Sequence, residues 1–287
     1  MNNKLLIFII IILIIISISI KPKEVLIEHK DIEVLLDNNK LSFNEYLIGV
    51  VGCEMPASFH YEALKAQAVA SRTFAYNYLK DNIINIPSSA QCYSDNTTLK
   101  DKWQNNYDKY YSTIKNAVEE TNNQVITYQG NIIKSYYFAI SNGKTSSALS
   151  VFNEDLPYLT NVDSTFDESV NKYEVTTTFT YDNFCSLLNI NPCIINISNI
   201  KRDDSNRITS LLINDKEYDG ITIRKLLGLR STDFEIKLLD NIEITTKGYG
   251  HGVGMSQYGA NYLANNNYTY EEIIKYYYKD VEITSIN

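Results

Sequence analysis

Histidine is scarce in this chain of 287 residues: there are three, beside one tryptophan, three methionines, five prolines and four cysteines. Cys53, Cys92, Cys185 and Cys193 include no Cys-x-x-Cys pair and make no recognisable zinc site, so no metal is expected. Their spacing leaves Cys185 and Cys193 either a short-loop disulfide or a pair of buried thiols. A basic balance is also missing. The formal net charge is −8 and the sequence pI about 5.0, which excludes the positive surface that nucleic acid binding needs and any steering by bulk charge toward anionic lipid. There is no Gly-Lys-Ser/Thr phosphate loop and no βαβ pattern around a glycine-rich turn, so no nucleotide and no cofactor are expected. Tandem repeats and long linkers are absent too.

What is present begins with an apolar run. Leu5 to Ile20 is almost unbroken Ile and Leu, with Lys4 before it and Lys21 and Lys23 after. Sixteen residues span roughly 24 Å as a helix, slightly short of the hydrocarbon core. No Ala-x-Ala cleavage pattern follows it, which favours an uncleaved anchor at residues 1–23 over a signal peptide. Lysines on both flanks leave orientation undecided by charge. The expectation is a single-pass cell-membrane protein with residues 24–287 as one extracytoplasmic domain.

That part, about 260 residues, is long enough for one large domain or two lobes. Ile32 to Leu36 reads as a strand, and Lys40 to Val51 as an approach to Val50-Val-Gly-Cys-Glu-Met-Pro-Ala57. From Tyr61 to Leu79 strong helix formers run without Gly or Pro, with Leu64, Ala68, Ser71, Ala75 and Tyr78 on one stripe. Gln67 and Arg72 interrupt that surface. A second helical stretch lies within Ala90 to Glu120. Strands are expected at Gln124–Tyr128, Ile132–Ile140, Glu174–Tyr181 and Ile208–Ile213, and a last helix at Tyr270–Tyr278. The expected fold class is α+β: a β-rich domain with a helix carrying part of any site, two lobes around a cleft, behind one N-terminal transmembrane helix.

The string Gly248-Tyr-Gly-His-Gly-Val-Gly-Met-Ser-Gln-Tyr-Gly-Ala260 places His251 among glycines beside Ser256 and Gln257. Such a run gives up side-chain packing for backbone freedom, a pattern that suits close approach to a ligand. Together with Glu54 in Gly-Cys-Glu-Met-Pro, the helix string Glu62 to Ala75, Ser141-Asn-Gly-Lys-Thr145, and Pro157-Tyr-Leu with Val162-Asp-Ser, it resembles the stage II sporulation protein D family. Order and spacing match over nearly all of residues 32–285.

The resemblance implies a peptidoglycan lytic transglycosylase that cuts peptide-free glycan strands during forespore engulfment. It also implies membrane partners, the sporulation proteins P, an amidase, and M. Glu54 is then the general acid and, once ionised, the base that takes a proton from the sugar's C6 hydroxyl, so that one carboxylate suffices. Its apolar neighbours favour a raised pKa; a helix-entry position would lower it. The substrate-binding set is Gln67, Arg72, Gln91, Tyr93, Ser141, Lys144, Thr145, His251, Ser256 and Gln257. Gln67 and Arg72 either hold the lactyl carboxylate and amides, or fix Glu54, or are a satisfied core amide and an internal ion pair. Lys144 is either an anion contact or a solvated turn lysine. The alternatives are a muramidase-type hydrolase, which needs a second acid near Glu54, and a non-catalytic wall-binding protein that activates an amidase.

Overall fold

The computed structural model describes residues 32–286. The expected membrane anchor lies outside the described residues, and among those described no helix is long and apolar enough to cross a membrane.

The chain opens with a hairpin, β1 (Glu33–Leu36) and β2 (Asn39–Ser42), turned by Asp37 and Asn38, both at positive φ, the conformation Asp and Asn tolerate best. Ser42 then starts α1 (Phe43–Glu54): its hydroxyl accepts from the Glu45 amide while the Glu45 carboxylate accepts from the Ser42 amide, a reciprocal cap. The stretch expected as an approach to the Glu54 motif is therefore a helix that ends at Glu54. Gly49 and Gly52 inside it are fitted to neighbours rather than to helix propensity: a Cβ on Gly49 would enter the Tyr93 ring, and one on Gly52 would press on Leu99 and Trp103.

Helix α2 (Tyr61–Tyr76) follows the Pro56 corner and starts where expected, but it stops three residues short of Leu79, which begins the next strand. Its burial exceeds a stripe. Nearly every side chain from Ala63 to Tyr76 is buried, because α1, α4 (Tyr107–Glu120), α8 (Gln257–Asn265), α9 (Tyr270–Tyr277) and β5 (Gln124–Tyr128) pack around it. Small residues at 63, 66, 68, 70 and 75 make that close approach feasible. The remaining elements of this lobe are β3 (Leu79–Lys80) and β4 (Ile83–Ile86), α3 (Asn96–Trp103), β6 (Asn131–Ile132), β7 (Tyr137–Phe138) and the one-turn α5 (Ala148–Phe152). β4 completes a sheet of order β2-β1-β4-β3, while β6 flanks β5. The expected strand Ile132–Ile140 is thus broken into β6 and β7.

Residues from β8 (Glu174–Phe179) to β13 (Ile242–Lys247) form a second lobe with its own core of Phe184, Leu211, Ile223, Phe234, Ile242 and Ile244. It comprises one sheet of β12 (Phe234–Leu238), β13 and β8, another of β11 (Lys216–Asp219), β10 (Ile208–Ile213) and β9 (Ile197–Arg202), and two helices, α6 (Tyr181–Leu188) and α7 (Gly220–Leu226). A disulfide joins Cys185 to Cys193. The chain then returns to the first lobe through the glycine loop, β14 (Met255–Ser256), α8, α9 and β15 (Glu282–Ser285), which pairs with β5. The class is α+β with several small sheets; helices carry much of the first core.

Candidate functional site

Glu54 is the last residue of α1, placed at the corner before α2. At a helix C-terminus the backbone dipole opposes a negative charge, the reverse of a helix-entry carboxylate. Burial drives its pKa above the usual value. The Cys92 amide, donating to Oε1 at 2.8 Å, the Gln257 side-chain amide, donating to Oε2 at 3.4 Å, and the charge of Lys102 each pull it part of the way back. Lys102 itself caps the helix, its Nζ donating to the Gly52 and Cys53 carbonyls.

Behind the acid runs a belt of buried amides and hydroxyls. Gln257 Nε2 donates also to Gln67 Oε1, Gln67 Nε2 to Ser71 Oγ at 3.0 Å, and Ser71 Oγ to the Tyr137 hydroxyl. Gln91 joins from the other side, giving Nε2–H to the Tyr137 hydroxyl at 2.7 Å and accepting from the Tyr46 hydroxyl at 2.9 Å. Burial, with Glu54 as the second cause, holds the Tyr46 and Tyr137 phenols well above their ordinary pKa, so both stay neutral. A belt satisfied in this way fixes rotamers near the acid.

Glu54 opens onto a cleft of about 320 Å³ lined by Phe74, Ser89, Ala90, Gln91, Cys92, Tyr136, Tyr137, Phe152 and His251, a volume at the low end for ligand sites. Among these described lining residues Glu54 is the one carboxylate. Phe152 packs on His251 at 5.3 Å between ring centroids and on Tyr136 at 4.7 Å, so one wall is aromatic. His251 is pushed down to about 3 by burial and by the charges of Arg207 and Arg224, against a hydrogen bond to the Tyr137 backbone. It is a neutral imidazole, and its Nδ1 accepts from the Val253 amide. That makes it a hydrogen-bonding wall and not a proton shuttle near pH 7. The glycines are required where the loop meets backbone: a Cβ on Gly254 would collide with the Tyr136 carbonyl, and Gly254 also sits at φ +79.

The sequence-derived set divides in space. Glu54, Gln67, Gln91, Gln257 and His251 come together in the cleft and its belt. Tyr93 stacks on Tyr46 at 5.8 Å and packs into the notch at Gly49. Arg72 is 1% exposed; it donates to the carbonyls of Val118, Thr121 and Gln124, closing the C-terminus of α4. It is a buried pin, neither a cleft ligand nor half of an ion pair. Ser141 and Thr145 are fully buried. The Ser141 amide donates to Asp167, and the Thr145 hydroxyl bonds Thr160 and Val162. Lys144 is exposed and reaches the Asp204 carbonyl in the second lobe. Asn142 and Ser146 in the same segment bond Asp233, Ser205 and Asp203. This segment staples the lobes together, which corrects the expectation that it lines the site.

Ser256 is likewise buried, capping α8 at the Gly259 amide and donating to Asp167. Asp167, pushed up to about 7 by burial, went unread in the sequence because its short 3-10 turn, Thr165–Ser169, carries no pattern beyond ordinary polar residues. Tyr137, Tyr136 and Phe152 went unread for want of any local signal among 23 tyrosines and 10 phenylalanines. The bridge joining Cys53 to Cys92 was also missed, since 39 positions separate its halves.

Four similarities to known proteins bear on this geometry. Residues 33–128 match the family described as SpoIID: Stage II sporulation protein. The chain is 37% identical over 258 residues to stage II sporulation protein D of Bacillus subtilis (strain 168), covering 85% of this chain and 75% of that one. Against the protein of the same name from Bacillus amyloliquefaciens the identity is 38%, with 85% and 74% covered. A more distant similarity, 27% over 83% of this chain and 40% of the other, is to an amidase enhancer of Bacillus subtilis (strain 168).

Proposed function

The chain belongs to the stage II sporulation protein D family, and on that premise we propose that it is a peptidoglycan lytic transglycosylase of sporulation, cutting the MurNAc–GlcNAc bond of peptide-free glycan strands. One observation carries the reading: Glu54 is a single carboxylate with a raised pKa, hydrogen-bonded on both oxygens, at the head of an aromatic cleft with no second acid among its described lining residues.

In this mechanism Glu54 enters protonated and gives its proton to the glycosidic oxygen as the bond to C1 of MurNAc breaks. The leaving GlcNAc departs as an alcohol. Lys102 and the Cys92 and Gln257 amides stabilise the carboxylate that remains. Glu54 then removes the proton from the C6 hydroxyl of the same MurNAc, and O6 closes on C1 to form the 1,6-anhydro ring. The proton is back on Glu54 and no water is consumed. The tethered hydroxyl replaces the nucleophile or base that a second carboxylate supplies in hydrolases. Phe74, Tyr136 and Phe152 offer apolar ring faces suited to a pyranose, and the neutral His251 ring packs against Tyr136 and Phe152.

The setting proposed is the sporulation septum, with the N-terminal run as a membrane anchor and the sporulation proteins P and M as partners. A second reading, a wall-binding protein that stimulates an amidase, draws on the likeness to the amidase enhancer. Product analysis by mass spectrometry separates them. Anhydro-ended fragments support the transglycosylase, reducing ends a hydrolase, and glycan binding without cleavage the amidase-stimulating reading.

A further inference from the structure

We propose that the Cys53–Cys92 disulfide is a positioning device for Glu54: it holds the Cys92 amide on the carboxylate, so the rate of glycan cleavage depends on the bridge and falls under a dithiol reductant. The inference rests on Glu54 being the acid and base described above.

Both halves of the bridge adjoin the acid. Cys53 immediately precedes Glu54 in the last turn of α1, and Cys92 is the residue whose backbone N–H donates to Glu54 Oε1. The bridge brings their Cα atoms to 5.6 Å. One covalent bond thus fixes the carboxylate's own turn against the loop that solvates it.

The loop has independent anchors on either side. Gln91 is bonded to Tyr46, Tyr137 and the Ser71 carbonyl, and the Ser94 amide donates to the Gly49 carbonyl. Opening the bridge therefore leaves the loop docked while freeing the Cys92 peptide to turn. Cys92 is exposed and Cys53 partly so, which gives an attacking thiolate access to sulfur. A dithiol supplies two electrons and two protons, leaving two cysteine thiols and its own disulfide.

The consequence for the acid has a definite sign. The Cys92 N–H favours the ionised carboxylate, so its loss leaves burial less opposed and moves Glu54 further up. The other ionisable groups facing Glu54 are Lys102 on α3, Tyr46 on α1, Tyr137 on β7 and His251 across the cleft. None belongs to the bridge.

The test uses the full chain, followed by amide exchange at Cys92 and by isotope-edited spectroscopy of the Glu54 carboxylate against pH. Formation of anhydro ends is measured alongside, before and after dithiothreitol. The Cys53→Ala, Cys92→Ala double variant serves as a reductant-free counterpart, and the Cys185→Ala, Cys193→Ala pair controls for the other bridge. The expected result is faster Cys92 exchange, an upward move of the Glu54 midpoint, and cleavage slower by about tenfold to a hundredfold. The double variant should behave like reduced parent, and the control pair like the oxidised parent until reductant is added. An unchanged Glu54 midpoint and unchanged Cys92 exchange after reduction would overturn the proposal. So would unfolding of the double variant, since the bridge would then hold the fold and not the acid. If even the oxidised parent fails to cleave glycan, the transglycosylase reading falls while the midpoint and exchange still decide the bridge.

Discussion

Gln257 Nε2 donates to Glu54 Oε2 at 3.4 Å, joining the first residue of α8 to the last residue of α1 across 203 positions of sequence. The same nitrogen reaches Gln67 Oε1, so one amide holds the acid and the central helix together.

Replacing that amide tests its electrostatic part. Because the Gln257 bond lowers the Glu54 pKa, Gln257→Leu should move it upward and carry the alkaline limb of the kcat/KM profile to higher pH, where protonated acid is otherwise lost. The measurement is a pH–rate profile with peptide-free glycan. A slower enzyme with an unmoved limb would mean that Gln257 acts through packing alone.

Asp167 supports the same helix from behind, accepting from Ser256 Oγ, the Ser141 amide and Ser164 Oγ. Its folded pKa is about 7, above the unfolded value near 3.9. The folded state then binds the extra proton between these values, so its stability contribution is fullest at low pH and declines as pH rises from about 4 to about 7. Asp167→Asn should flatten that decline, which is a few kcal/mol in the parent by this arithmetic. Urea titrations at pH 4.5, 6 and 8 give the slope directly; an equal slope in both proteins would contradict the assignment.

Arg72 should prove structural. Arg72→Met removes the guanidinium that serves three carbonyls around the end of α4 and leaves buried acceptors unpaired, at a cost of about 3–5 kcal/mol. Arg72→Lys should recover little, because a single ammonium cannot span the Val118, Thr121 and Gln124 oxygens. Chemical denaturation reads both. A stable Arg72→Met protein with a raised KM would instead return Arg72 to the substrate.

Much of the site was legible because its residues declare themselves locally. Glu54 between Gly-Cys and Met-Pro, the polar interruption at Gln67 in an alanine helix, and His251 among glycines all depart from what a core element wants. Arg72, Ser141, Thr145 and Ser256 depart in the same way and yet serve the scaffold. Their partners are backbone groups and Asp167, distant in sequence, and no local pattern separates a buried pin from a ligand. Helix α1 was obscured by β-branched residues at 48, 50 and 51 and by two glycines, though Ser42-x-x-Glu45 carried its capping signal. In the second lobe β10 was legible at its observed bounds, Ile208–Ile213, but its neighbours β9 and β11 had short, weakly alternating runs, and the sheet closes through pairings such as Ile208 with Arg202 that only the fold supplies.

The central claim is that Glu54 alone performs both proton transfers. Its most direct test is mass spectrometry of the products formed from peptide-free glycan strands by the parent and by Glu54→Gln. The account predicts anhydro-MurNAc ends from the parent, formed at a rate that falls by at least about a thousandfold in the variant, with glycan binding retained. Reducing ends from the parent, or anhydro ends produced equally well by the variant, would contradict it.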